Sequence, residues 1–206
     1  MRSRRWIIAS AVLGLCALSA FAVLRSMHGT GHEAHEQLAM LDRTVLAVAP
    51  GAPLEVPVLK AADGGTFDAS RLRGRWSLVF FGFTSCPEIC PTTLATLARF
   101  ARDPANGVEA GATQVVFVSV DPGTDTPQRI GEYLKNFDPR FVGVTGDSAT
   151  LERFAAAAGA GFAANGGSMD HSTSVFVVDP QGRLAGVLLH PSDPQRIRAD
   201  LGSLRG

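Results

Sequence analysis

The chain has 206 residues, 46% of them hydrophobic, enough to bury a core in one domain with appendages. Its formal charge is zero, yet Arg2, Arg4, Arg5 and Arg25 flank one N-terminal apolar stretch, leaving 15 of the 19 basic residues against 19 acidic ones elsewhere. A net-acidic body offers no basic face for nucleic acid, and that class is excluded.

Residues 6–24 carry no charged side chain and as a helix would span roughly 28 Å, close to the hydrocarbon thickness. The arginines ahead of them predict a cytoplasmic N-terminus and an exported body, so residues 1–25 read as a single-pass anchor in the inner membrane. Ala20-Phe21-Ala22 also fits a signal-peptidase site, which keeps a cleaved signal sequence as the competing reading. Cys16 lies inside the apolar run and is set aside from the chemistry. Residues 26–49 read as a polar tether with His28, His32 and His35, and no rigid element there fixes ligands.

Residues 50–206 carry the globular pattern. Asp63-Gly64-Gly65 is a turn signal between Val56–Leu59 and Thr66-Phe67, which predicts a hairpin. Leu78–Phe83 is an apolar strand, followed by a helix through Leu94, Leu97, Ala98 and Ala101. Gln114–Val120 is a nearly continuous apolar strand of the kind buried on both faces. Thr126-Pro127 opens a second helix as N-cap and first residue. Phe141–Val144 is a short strand, and Ser148 caps an alanine-rich helix stopped at Gly159. Val175–Val178 and Leu184–Leu189 bracket Asp179-Pro180-Gln181-Gly182, an antiparallel hairpin, and Asp193-Pro194 starts the last helix. A βαβ core, then a hairpin and a terminal helix, gives an α/β chain in thioredoxin-like order: a mixed sheet flanked by helices.

The chemistry centres on Cys86-Pro87-Glu88-Ile89-Cys90, which sits where a strand turns into a helix. Main-chain N–H groups and the positive helix end favour thiolates there. Ser85-Cys86-Pro87-Glu88 matches a capping box, but Pro91 opposes a helix that starts so early. Pro91 is therefore expected at the first helical position, after a stiff loop from Cys86 to Cys90. Three intervening residues suit paired metal thiolates, and they permit a disulfide as well. A loop this small can add little global stability as a disulfide. His171, between Asp170 and an apolar strand, is the expected third ligand, with Asp170 as a partner for its ring. Two soft sulfurs and an imidazole favour copper. Met169 is read as packing and His190 as structural. Asp121 and Asp125 follow a strand whose end should lie near the thiols; they suit tuning of the site or a partner surface, with turn formation and capping preferred.

Phe80-Phe81-Gly82-Phe83-Thr84-Ser85-Cys86-Pro87-Glu88-Ile89-Cys90-Pro91, Ser119-Val120-Asp121-Pro122 with Asp125-Thr126-Pro127, Val142-Gly143-Val144-Thr145-Gly146 and Asp170-His171-Ser172 together resemble the Sco (SenC) family of membrane-tethered copper chaperones. The likeness covers about residues 50–204. It implies a thioredoxin-like fold and copper held by Cys86, Cys90 and His171. It also implies delivery of copper, or of reducing equivalents, to the dinuclear copper centre of a respiratory cytochrome oxidase. Ser85 stands where a histidine is common in the family, and Val144 where a leucine is usual. An upstream copper donor or thiol reductant is a further candidate partner. Two readings stay open: a metallochaperone with its soluble domain in the periplasm, and a thiol–disulfide oxidoreductase in which an exposed Cys86 attacks and Cys90 resolves.

Overall fold

The computed structural model describes residues 45–49, 51–106, 111–160 and 174–205, together with the backbone of 162–165 and 168–171. The apolar 6–24 segment, Cys16, His28, His32 and His35 lie outside the described residues. Among the described residues no helix is long and apolar enough to cross a membrane.

In chain order the elements are β1 (Val45–Ala47), β2 (Leu59–Ala61), β3 (Thr66–Phe67), β4 (Trp76–Gly82), α1 (Ile89–Arg102), β5 (Thr113–Ser119), α2 (Pro127–Lys135), β6 (Val142–Thr145), α3 (Ser148–Ala158), β7 (Phe162–Asn165), β8 (Ser168–His171), β9 (Val175–Val178), β10 (Leu184–Leu188) and α4 (Pro194–Arg205). Eight strands form one mixed sheet in the order β1-β10-β9-β4-β5-β6-β2-β3, and β7 and β8 form a separate pair among the described residues. β4, β5 and β6 run parallel; β9 runs antiparallel to β4, with Phe80 opposite Val175.

The alternation of large apolar residues along β4 builds a core on each face. Leu78 and Phe80 join Phe117, Leu94, Leu97, Phe100, Ile130, Ile197 and Leu201 under α1, α2 and α4. Val79 and Phe81 join Val118, Leu151, Phe154, Phe176 and Leu59 under α3. All seven positions of β5 are buried, as its apolar run predicts for a strand covered on both faces. This is the expected mixed sheet between helices, in thioredoxin-like order.

Local signals account for the boundaries. Thr126 caps α2 by accepting from the Arg129 amide, with Pro127 at the first helical position. Asp147, not Ser148, caps α3, and Gly159 ends it at φ 76°, a left-handed conformation that glycine adopts without strain. Three strands were not anticipated. β1 lies inside the stretch read as tether, where Val45-Leu46-Ala47 extends the sheet along the edge of β10. β7 and β8 pair antiparallel, with Asn165 opposite Ser168.

Candidate metal centre

Because β4 and β5 are parallel, their carboxyl ends lie at the same rim of the sheet, and the Val120 amide donates to the Gly82 carbonyl at 2.9 Å. The loop to α1 leaves from Gly82, and the loop to α2 leaves from Ser119. β9 is antiparallel to β4, so the chain from His171 joins β9 at this rim. The topology brings three segments to one end of the sheet, as open α/β sheets do at their binding crevices.

The cysteine segment differs from expectation in two respects. α1 begins at Ile89 with Glu88 at its N-cap, so Cys90 is already helical and Pro91 is the third helical residue. Proline is tolerated there because the first amides of a helix have no intrahelical acceptor; the first such bond runs from Thr92 N–H to the Glu88 carbonyl at 3.1 Å. The Cys90 amide, another of these spare donors, points at Cys86 Sγ at 3.3 Å. That contact holds both sulfurs to one turn. Both cysteines are thiols, and both are buried, Cys86 at 6% and Cys90 at 0% exposure. The exposed Cys86 expected from the sequence is therefore corrected: Pro87, Glu88 and Ile89 form the outer surface instead. For Cys90 the expected ease of ionisation is reversed too. Burial, followed by the contact with Cys86, pushes its thiol up to about 12 and outweighs the pull of the helix start.

Residues around the pair fix its place. A Cβ added to Gly82 would lie 2.8 Å from Cys90 Sγ and 3.0 Å from Phe117 Cε2, so only glycine lets the sulfur rest on the end of β4. Asp125, 1% exposed, grips the start of the cysteine loop: it accepts from the Thr84 amide at 2.8 Å and from the Thr84 hydroxyl at 2.5 Å. It also accepts from Ser119 Oγ at 2.5 Å and pairs with Arg129 at 3.6 Å. Thr126 does the capping, so Asp125 ties the two loops together, which capping alone does not explain. Asp121 does serve the turn, accepting from the Thr124 amide at 3.2 Å. On α2, Tyr133 packs against Phe117 at 6.0 Å between ring centroids, and its buried hydroxyl has no hydrogen-bond partner among the described residues.

His171 ends β8, opposite Phe162, and precedes the start of β9 by four residues, a reach of at most about 14 Å. The structure thus brings its backbone toward the thiol-bearing rim. The side chains of Met169, Asp170 and His171 lie outside the described residues. Among the described residues no three His, Cys, Asp or Glu side chains gather as a metal cluster. His190 is exposed at a left-handed bend, φ 48°, consistent with a structural role. Sequence reading missed Gly82, Thr84 and Tyr133. A glycine inside an apolar strand is a legible mark of close approach; Thr84 and Tyr133 carry no such local mark.

Two buried sulfurs, one in the loop and one on the first turn of the helix it leads into, are a soft donor pair, suited to a thiophilic ion or to a disulfide. Relatives share this fold. A protein of Stutzerimonas stutzeri named for copper binding is 36% identical over 166 residues, covering 77% of this chain and 80% of its own. The copper-bound ScoI structure of Bradyrhizobium japonicum matches with a TM-score of 0.62 at 32% identity, over 76% of this chain and 99% of that one. BsSco, described with a disulfide switch and as a member of the Sco family of cytochrome c oxidase assembly proteins, matches in fold at TM-score 0.59 and 22% identity, over 74% of this chain and 95% of its own. The SCO1/SenC family model matches residues 58–205, the whole span from β2 to the end of α4, and the chain belongs to that family.

Proposed function

We propose that this chain is a copper carrier for cytochrome oxidase assembly, binding copper through Cys86, Cys90 and His171 and passing it to the dinuclear copper centre of the oxidase. The observation that carries the reading is the contact of the loop Cys86 sulfur with the amide of Cys90 on the first turn of α1, at the rim of the sheet where β9 begins. Membership of the family and the copper-bound relative support copper over other thiophilic ions. Cu(I) suits two thiolates and one imidazole; Cu(II) would add an oxygen donor. Residues 1–25 would anchor the chain in the inner membrane, with residues 44–206, which include β1, as the periplasmic copper-binding domain and 26–43 between them.

Transfer needs the pair to let go. Of the two cysteines, incoming thiolates of the acceptor would replace Cys86 before Cys90, because Cys86 is the less enclosed residue. Cys90 would follow and regain its proton. Oxidation of the pair to a disulfide removes both sulfur donors, so the same two residues gate binding by redox state.

Anaerobic Cu(I) titration of the reduced full-length chain tests the proposal. One copper per chain is expected, with affinity falling on His171→Ala and binding abolished on Cys86→Ser or Cys90→Ser. A second reading, reduction of the acceptor's copper-ligand cysteines, is favoured by the adjacency of two thiols that can close on each other. It requires His171→Ala to leave thiol exchange intact while copper binding plays no part.

A further inference from the structure

At the end of the sheet opposite the cysteines, the starts of β4 and β10 and the last turn of α4 border a cavity of about 380 Å³. Trp76 opens β4 and Gly82 closes it, so the cavity lies roughly 20 Å from the seat of the thiols. Val48, Trp76, Leu184 and Leu204 give it apolar wall, and Arg183 and Arg205 line it as well. The two cations differ in what holds them. Arg183 is spent on Asp179, its Nε donating to Oδ2 at 2.8 Å and its Nη2 lying 2.7 Å from the same oxygen. Asp179 Oδ1 accepts the amides of Gln181 and Arg183, both at 2.9 Å, so this carboxylate has no capacity left for a second cation.

Arg205 is held without a carboxylate. Trp76 and Thr113 stand opposite each other where β4 and β5 begin, and the end of α4 reaches both. Arg205 Nη2 donates to Thr113 Oγ1 at 2.8 Å, and its guanidinium carbon lies 5.5 Å from the centre of the Trp76 ring. A hydroxyl and an aromatic face thus fix the group in position. The bond to Thr113 uses one of the five N–H donors of a guanidinium and leaves the rest for a ligand. Among the described residues no acidic side chain pairs with it, and burial alone acts on its ionisation, lowering it from the ordinary arginine value. The residue is still exposed enough for an anion to reach it. We propose that this cavity binds a small organic carboxylate, its anionic group forked on Arg205 and its flat apolar body against Val48, Leu184 and Leu204. One uncompensated cation matches one carboxylate, and the planar fork suits it. The volume lies at the lower end for ligand cavities, which limits the apolar body to about one ring.

The site stands apart from Cys86 and Cys90, so its test does not depend on copper. Trp76 is the reporter. The chain has two tryptophans, and Trp6→Phe leaves Trp76 alone. The full-length Trp6→Phe chain, in an uncharged detergent, is titrated with 4-nitrobenzoate, whose nitro ring quenches indole fluorescence on contact, and separately with the uncharged 4-nitrobenzamide. Saturable quenching by the acid is expected, with an affinity at least tenfold above that of the amide. Arg205→Gln retains a donor for Thr113 but removes the charge, and should weaken the acid by about tenfold or more, the scale of a hydrogen bond to a charged group, while leaving the amide unchanged. Ser203 is exposed and lines the cavity, so Ser203→Phe should fill the space and abolish quenching by both. Urea unfolding checks that each variant is folded; should Arg205→Gln fail that check, acid against amide in the parent and Ser203→Phe chains decides the matter. Quenching that never saturates, equal affinity for acid and amide, or undiminished binding of the acid in either folded variant overturns the site.

Discussion

Replacing Gly82 by alanine isolates the seat of the second sulfur. The added Cβ would sit 2.8 Å from Cys90 Sγ and 3.0 Å from Phe117 Cε2, where ordinary contacts begin at about 3.5 Å. Cys90 is on the first turn of α1, and Phe117 is locked in the middle of a fully buried strand. Something must move by about 0.7 Å, and the Cys90 sulfur, the end of a side chain, gives way more readily than a ring set in a fully buried strand. Overpacking of this size costs about 1–3 kcal/mol in folding stability. Gly143→Ala is the matched control. Its Cβ would meet Ile130 Cγ2 at 2.4 Å and Leu134 Cδ1 at 2.9 Å, an overpacking against α2 that touches no cysteine. Urea unfolding of both apo variants should show comparable losses. Copper titration and the charge-transfer spectrum should change in Gly82→Ala alone, with affinity down by about tenfold or more. Native affinity and spectrum in a folded Gly82→Ala chain would refute the claim that the end of β4 positions Cys90.

Asp125→Asn keeps the shape but removes the charge that organises Thr84, Ser119 and Arg129; a loss of about 1–3 kcal/mol in apo stability is expected by denaturant titration, together with weaker copper binding. Asp121→Asn, which bears only on the turn, should change both by far less. The Cys90 thiol gives a pH signature. Its folded value of about 12 lies above the ordinary 9.0, so the folded chain keeps a proton that the unfolded chain loses. This contribution is intact below pH about 9 and declines by up to about 1.4 kcal/mol per pH unit as the pH climbs from 9 toward 12. Cys90→Ala should flatten the decline in a pH series of unfolding curves, and an identical slope in the two chains would remove the effect. The anchor reading predicts that the chain stays with membranes after carbonate extraction, and that external protease reaches the C-terminal domain only from the periplasmic side.

The sequence was most legible where one force dominated. Apolar runs at β4, β5 and β9 and alternating apolar positions along α1 placed the layers, because burial on one or two faces writes its own period. Caps at Thr126 and Gly159 were equally plain, since few residue types satisfy those positions. Pro91 was misjudged because a proline excludes only the helix interior; the first turn has amides to spare, and the helix could start before it. Cysteine ionisation was misjudged for a different reason. Proximity to a helix start is local and readable, whereas the burial that overrides it comes from Gly82, Phe117 and Tyr133, which are distant in the chain or carry no charge. Asp125 looked like any turn carboxylate until the pairing of β4 with β5 put Thr84 beside it. Tertiary placement, not residue type, gave that carboxylate its partners.

The proposed three-ligand site would divide its donors between two hydrogen-bonded systems, and that division bears on release. Cys86 and Cys90 are fixed to the main sheet through Gly82, Thr84 and Asp125, so moving either sulfur disturbs the core. His171 is carried by β8, which among the described residues is laddered to β7 and not to that sheet. An imidazole on a separate ladder can be withdrawn without breaking a single bond of the eight-stranded sheet. A carrier that binds with three donors and yields to incoming thiolates has to lose one donor cheaply before the others are displaced. In the proposed copper site, with His171 as third ligand, the histidine would be that donor. Pinning β8 to the main sheet through an engineered cross-link should then slow copper transfer to an acceptor while leaving equilibrium affinity the same or higher. Unchanged transfer kinetics in the pinned chain would place the release step at the cysteines instead.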